Sequence, residues 1–153
     1  MKVAKRIITI PISLIIFGVI YCEINKAYWD HQVKKMCEKD GGVTVYQKIN
    51  LTPEELKVLG GYNFYVRAPA EKYAKTFDQY VSVSADYQIN ATSPYVYRSE
   101  TTILRRSDKN PLGKEVSYSR VGGDFPSGIM SESSFSCGNI KNFNANLTKS
   151  IFF

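Results

Sequence analysis

The chain has 153 residues and a formal net charge of +6; setting aside Lys2, Lys5, Arg6 and Glu23 leaves +4 over residues 24–153. No basic block there is longer than Lys34-Lys35 or Arg105-Arg106, which argues against the clustered patch of a nucleic-acid binder. The length behind the N-terminal apolar run suits one domain with its own core.

Ile7–Cys22, IITIPISLIIFGVIYC, carries no charge and follows Lys2, Lys5 and Arg6. As a helix, residues 7–24 would span ~27 Å against a hydrocarbon core of ~30 Å, so the run can cross a bilayer with slight thinning. Three readings compete. A cleaved signal peptide needs small residues before the cut, but Ala27 has Asn25 at the −3 position, a poor site. A lipoprotein would use Cys22, but Tyr21 precedes it where a small residue is usual. An uncleaved signal anchor needs only the basic flank, which keeps the N-terminus in the cytoplasm and sends the rest out. The anchor fits best. Pro11 sits near the helix start, where a missing N–H costs least.

Residues 25–39 read as an amphipathic helix continuing from the anchor. Trp29, Val33, Met36 and Cys37 share one face, Lys34, Lys35 and Lys39 suit the C-terminal end, and Gly41-Gly42 stops it. Cys37 and Cys137 both follow the apolar run. In an exported domain they would pair; in a cytoplasmic one they would be buried free thiols.

Val43–Ile49 alternates as a first strand. Thr52-Pro53-Glu54-Glu55 is a capping box opening a short helix to about Leu59, ended by Gly60-Gly61. Tyr62–Val66 suits a short strand, and Arg67–Lys75 is ambiguous because of Pro69. Val81, Val83, Ala85, Tyr87 and Ile89 then alternate with polar residues, and after a turn at 90–94 a second alternating run fills Tyr95–Arg106. The two read as a hairpin. These Tyr-, Ser- and Thr-rich runs suit an antiparallel sheet with a wet face. Ser107–Gly113 reads as a loop, Glu115–Val121 as a third meander strand, and Gly122–Ser136 as an irregular loop leading to Cys137. Ile140, Phe143, Leu147 and Ile151 are helix-spaced, and so apolar an end should be packed.

Two blocks, WDHQVKKMCEKDGGVTVYQKI (Trp29–Ile49) and RRSDKNPLGKEVSYSRVGGDF (Arg105–Phe125), with SSFSC ending at Cys137, resemble a family of small exported or membrane-anchored proteins of Proteobacteria with no assigned activity. The likeness spans most of residues 29–153. It implies an export segment and two paired cysteines, and says nothing of mechanism. Gly138 stands where the family tends to have Pro.

No catalytic constellation is visible. His31 is the only His, so a Ser/His/Asp or Cys/His arrangement would rest on one residue of the membrane-proximal helix. A zinc site would need ligands that a single His and scattered acids do not provide. Asp78 and Asp86 would lie about 27 Å apart along one strand. Each Gly-Gly pair falls at an element end, outside any phosphate-loop pattern.

These readings predict an α+β fold. An N-terminal membrane helix continues into an amphipathic helix packed on an antiparallel sheet of about four strands, with one Cys37–Cys137 disulfide. Residues 1–24 form the anchor and residues 25–153 a single exported domain. The expected place is the bacterial inner membrane, entered through residues 7–24, with the C-terminal domain in the periplasm. The expected function is non-catalytic binding of a protein or other envelope component, without cofactor, metal or nucleic acid. Arg98, Arg105, Arg106 and Arg120, on neighbouring strands, are the candidate binding face. An alternative is an inhibitor or immunity-type protein against an exported enzyme. A third reading is an envelope hydrolase using Glu100, Glu115 or Asp124.

Overall fold

The computed structural model describes residues 2–58, 79–125 and 132–153. One helix, α1 (Lys2–Asp40), runs unbroken from the basic N-terminus through the apolar run to Asp40. After Pro11 only Gly18 interrupts its helix-forming residues, so the membrane-type segment and the amphipathic helix are one rod. It ends where Gly42 takes φ +106°, a conformation that costs glycine little. α1 is long and apolar enough to cross a membrane by length and composition. Leu14, Phe17 and Ile20 within it are exposed.

Among the described residues the sheet is antiparallel and five-stranded. Strands β1 (Gly42–Val45), β2 (Tyr80–Asn90), β3 (Tyr95–Arg105) and β4 (Pro111–Val121) lie in the order β1-β4-β3-β2. β5 (Ser134–Ser136) also pairs with β4, through Ser119–Val121, while β1 uses Gly113–Val116. β4 therefore has β3 along one edge and β1 and β5 in tandem along the other. Among the described residues no strand pairs with the outer edge of β2.

Each face of the sheet has its own core. On one, Val33 and Cys37 of α1 meet Val96, Val116, Tyr118 and Cys137, with Trp29, Met36 and Phe135 at the margin. The predicted Cys37–Cys137 disulfide lies within this layer. On the other face, Tyr80, Ile103 and Leu112 are covered by Leu147, Ile151 and Phe152, from and just beyond the short helix α3 (Leu147–Ile151). The helix α2 (Pro53–Val58) opens on the expected capping box: Glu55 Oε2 accepts from the Thr52 N–H at 2.8 Å, and Thr52 Oγ1 accepts from the Glu55 N–H at 3.3 Å.

Several boundaries differ from the sequence reading. The first strand stops at Val45, because the Tyr46 and Gln47 N–H groups both donate to the Leu112 carbonyl and turn the chain out of register. Ile49 and Leu51 instead bond to the chain end, donating to the carbonyls of Ile151 and Phe153. β4 begins at Pro111, four residues earlier than expected, a position where a strand tolerates proline. β5 emerges from the expected irregular loop and is too short to show periodicity. The helix-like spacing of Ile140–Ile151 is helical only over Leu147–Ile151; Asn142, at φ +67°, breaks it. Ile151 and Phe152 are buried, while Phe153 is exposed. The readings at Leu59–Lys75 lie outside the described residues.

Candidate binding face

The strand register separates the four arginines. Val96 pairs with Arg120 and Arg98 with Tyr118, so Arg98 and Arg120 project from the α1 face of the sheet. Arg105 pairs with Tyr80 and projects from the opposite face, and Arg106 follows the end of β3. Arg120 is only 3% exposed. Its Nε donates to Asp30 Oδ1 at 2.7 Å, and its Nη1 donates to the carbonyls of Gly122 and Ser133 and to Ser133 Oγ. It thus ties α1 to the ends of β4 and β5. Arg105 donates to Asp108 and Gln47. The Nε of Arg106 reaches the Tyr80 carbonyl at 3.4 Å.

Arg98 is the one of the four set among exposed apolar residues. Its Nη2 pairs with Glu100 Oε2 at 2.7 Å, its Nε donates to Tyr118 Oη at 3.2 Å, and its guanidinium lies 5.7 Å from the centre of the Tyr87 ring. Tyr118 Oη in turn donates to the Asp40 carboxylate at 2.8–2.9 Å. Burial, reinforced by the Asp40 bond, raises the Tyr118 hydroxyl above its ordinary pKa. The hydrogen bond to Glu100 raises Arg98 further. A chain of polar contacts thus runs from the end of α1 across β4 to β3, with Lys114 Nζ 3.8 Å from Glu100.

Beside this chain, among the described residues, the middle of β2 is exposed. α1 packs on Val116 and Tyr118 of β4 and on Val96 at the start of β3. Val83 and Tyr87, on that face, are 49% and 53% exposed, and Ile89 is exposed as well. Their alternation signals a half-buried strand, yet Ser82, Ser84, Asp86 and Gln88 on the opposite face are exposed too, and on the apolar side Val81 and Ala85 are partly covered. Val83 and Tyr87 stand about 13 Å apart along the strand, flanked by Arg98 and Glu100. Exposed apolar side chains thus stand beside a fixed ion pair.

The acids considered for hydrolysis do not converge. Glu100 pairs with Val116 and Thr101 with Glu115, which places Glu100 and Glu115 on opposite faces. Burial pushes Glu115 up, and the Leu147 N–H, donating to it, pulls it back. His31 is exposed on α1. Among the described residues no three His, Cys, Asp or Glu side chains are placed to hold a metal ion.

Asp124, third of those acids, clamps the segment after β4 to α1. It accepts from the Ser133 N–H at 2.6 Å and from Lys26 Nζ at 3.0 Å, and Lys26 also pairs with Glu23. The Ser133 bond first, then Lys26, lowers the Asp124 carboxyl from 3.8 to about 2. Lys26 is raised above 10.5, first by Glu23 and then by Asp124. A depressed acid stabilises the fold above its unfolded value and loses that as pH falls through the folded value; a raised base does so below its unfolded value and loses it as pH rises. The clamp is therefore fully formed between pH 3.8 and 10.5. Carbon-13 titration of the Asp124 carboxyl should give a midpoint near 2. In Lys26→Met the midpoint should rise only part of the way to 3.8, because the Ser133 N–H remains. A wild-type midpoint near 3.8 would mean that the clamp is absent in solution.

Sequence reasoning names Arg98 but misses Asp40, Tyr118 and Tyr87 as its partners. The alternation of β3 does place Arg98 and Glu100 on one face; nothing local joins Tyr118 to Asp40, which are brought together by the packing of α1 on β4. The chain matches no protein-family model, no curated protein and no solved structure.

Proposed function

We propose that this protein is a membrane-anchored binding module of the bacterial cell envelope, held in the inner membrane through residues 7–24, with residues 25–153 in the periplasm. In this reading the uncovered α1-side face of β2 and β3 takes a protein partner. Three features support the placement. Lys2, Lys5 and Arg6 precede the apolar run, which favours a cytoplasmic N-terminus. Paired cysteines suit an oxidising compartment. The likeness to small exported proteins points the same way. The observation that carries the binding reading is the exposure of Val83, Tyr87 and Ile89 beside the Arg98–Glu100 pair.

The test is site-specific photo-crosslinking in living cells. A photoreactive residue at Val83 or Tyr87 should give one discrete protein adduct, the same at both positions. The same residue at Ser84 or Asp86, on the other face of the strand, should give none. Tyr87→Ala, which keeps the Arg98–Tyr118 and Arg98–Glu100 contacts, should lower the yield of that adduct from position 83 by roughly tenfold, the loss expected for one good contact, with the unfolding midpoint unchanged. Equal labelling from both faces would remove the proposal.

A further inference from the structure

The contact between the folded domain and α1 does not stop where the apolar run begins. Gly18, Cys22, Lys26, Trp29, Val33 and Cys37 are at least partly covered, and they fall on one helical stripe. Phe17, Tyr21 and Ile24, off that stripe, are exposed. The residues after β4 follow the stripe toward the N-terminus. A Cβ on Gly123 would meet Lys26 Cγ at 3.0 Å, and Asp124 bonds to Lys26 Nζ. The ring of Phe125 then lies over Gly18, where a Cβ would come 3.3 Å from Phe125 Cε2.

Gly18 belongs to the uncharged run Ile7–Cys22. The first charges beyond that run are Glu23 and Lys26, which pair with each other. At 1.5 Å per residue, Gly18 stands about 7 Å closer to the bilayer centre than Glu23 and about 12 Å closer than Lys26. If residues 7–24 span the membrane, a ring packed on Gly18 is below the charged boundary. Phe125 is 43% exposed, and the side turned away from the helix would face acyl chains.

The geometry points to a second membrane contact: Phe125 inserts into the outer leaflet beside the anchor and takes lipid acyl chains as its partner. This rests on the reading of residues 7–24 as a membrane span. The two contacts together fix the tilt of the domain. They hold the end of β4 and the β2–β3 turn, whose Pro94 Cβ lies 3.0 Å from where a Gly123 Cβ would be, against the bilayer. The Leu112 and Phe152 end points away.

Depth-dependent quenching tests this on the full chain. The native indole is removed by Trp29→Phe, and one indole is returned by Leu14→Trp, Phe125→Trp or Phe153→Trp. Each variant is reconstituted into phosphatidylcholine vesicles brominated on the acyl chains. The position-14 and position-125 probes should each lose roughly half their emission relative to unbrominated vesicles, while the position-153 probe should keep its own. If position 14 is quenched and position 125 behaves like position 153, the inserted Phe125 is wrong and the anchor stands. If position 14 is not quenched, the membrane span itself fails. Far-ultraviolet circular dichroism and urea midpoints that match those of the unsubstituted chain show that the probes leave the domain folded.

Discussion

Replacing Cys37 and Cys137 together by alanine is expected to lower the unfolding free energy of the domain by about 4 kcal/mol. The two residues are 100 apart in sequence, so the bond removes much of the freedom of the unfolded chain, and that term grows with loop length. Both residues are also buried between α1 and the sheet, and the Tyr118 N–H donates to Cys137 Sγ at 3.1 Å. Losing the sulfurs therefore loosens the packed layer as well as freeing the chain. Urea unfolding in detergent, followed by Trp29 fluorescence, measures the effect, because Trp29 packs at the margin of this layer. Cys22→Ser should be present in every sample, since Cys22 is a free thiol and free thiols exchange with disulfides. A loss below ~1 kcal/mol would mean that the bond constrains little in solution.

Arg120→Met should cost about 3 kcal/mol, near the low end for breaking a buried ion pair. Arg120 donates to Asp30, to two carbonyls and to Ser133 Oγ. Methionine restores much of the volume but none of the donors, so the Gly122 and Ser133 carbonyls are left without this partner in a covered site. The Asp30 side chain is 34% exposed, so water relieves part of its lost pairing, and the estimate stays low for that reason. Asp30→Asn/Arg120→Met should recover part of the loss, because no carboxylate is then stranded. A double-mutant cycle on unfolding midpoints isolates the pair. A single Arg120→Met loss under ~1 kcal/mol would place this guanidinium in solvent rather than in the fold.

The long elements are legible in the sequence because their periodicity extends over many residues. The stripe Trp29–Val33–Met36–Cys37 and the alternations of β2 and β3 each repeat often enough to outweigh local exceptions. β1 and β5 are short, and their pairing is decided by β4, so no local pattern marks where they end. The arginine face is half legible. Alternation places residues on a face, but it does not say which face α1 covers. Arg98 and Arg120 share a face on β3 and β4, yet one stands beside open sheet and the other is sealed under α1. The two sequence blocks, Trp29–Ile49 and Arg105–Phe125, meet the same physics. Asp30, Cys37 and Asp40 come from the first block, and they pair with Arg120, Cys137 and Tyr118 in or beyond the second. Those residues hold the helix on the sheet; the exposed Val83 and Tyr87 lie between the blocks.

The parallel bridge between Ile49 and Phe152 sets an order of events during synthesis. β1 has no partner until residues 113–116 are made, and the core beneath it has no lid until Phe152 is made. Until then only α1 and the β2–β3–β4 meander can form from neighbouring sequence. A nascent chain of this kind leaves the ribosome with its helix first and its tertiary structure last. Its two separated halves close on each other only when the last residues, Ile151 and Phe152, are in place.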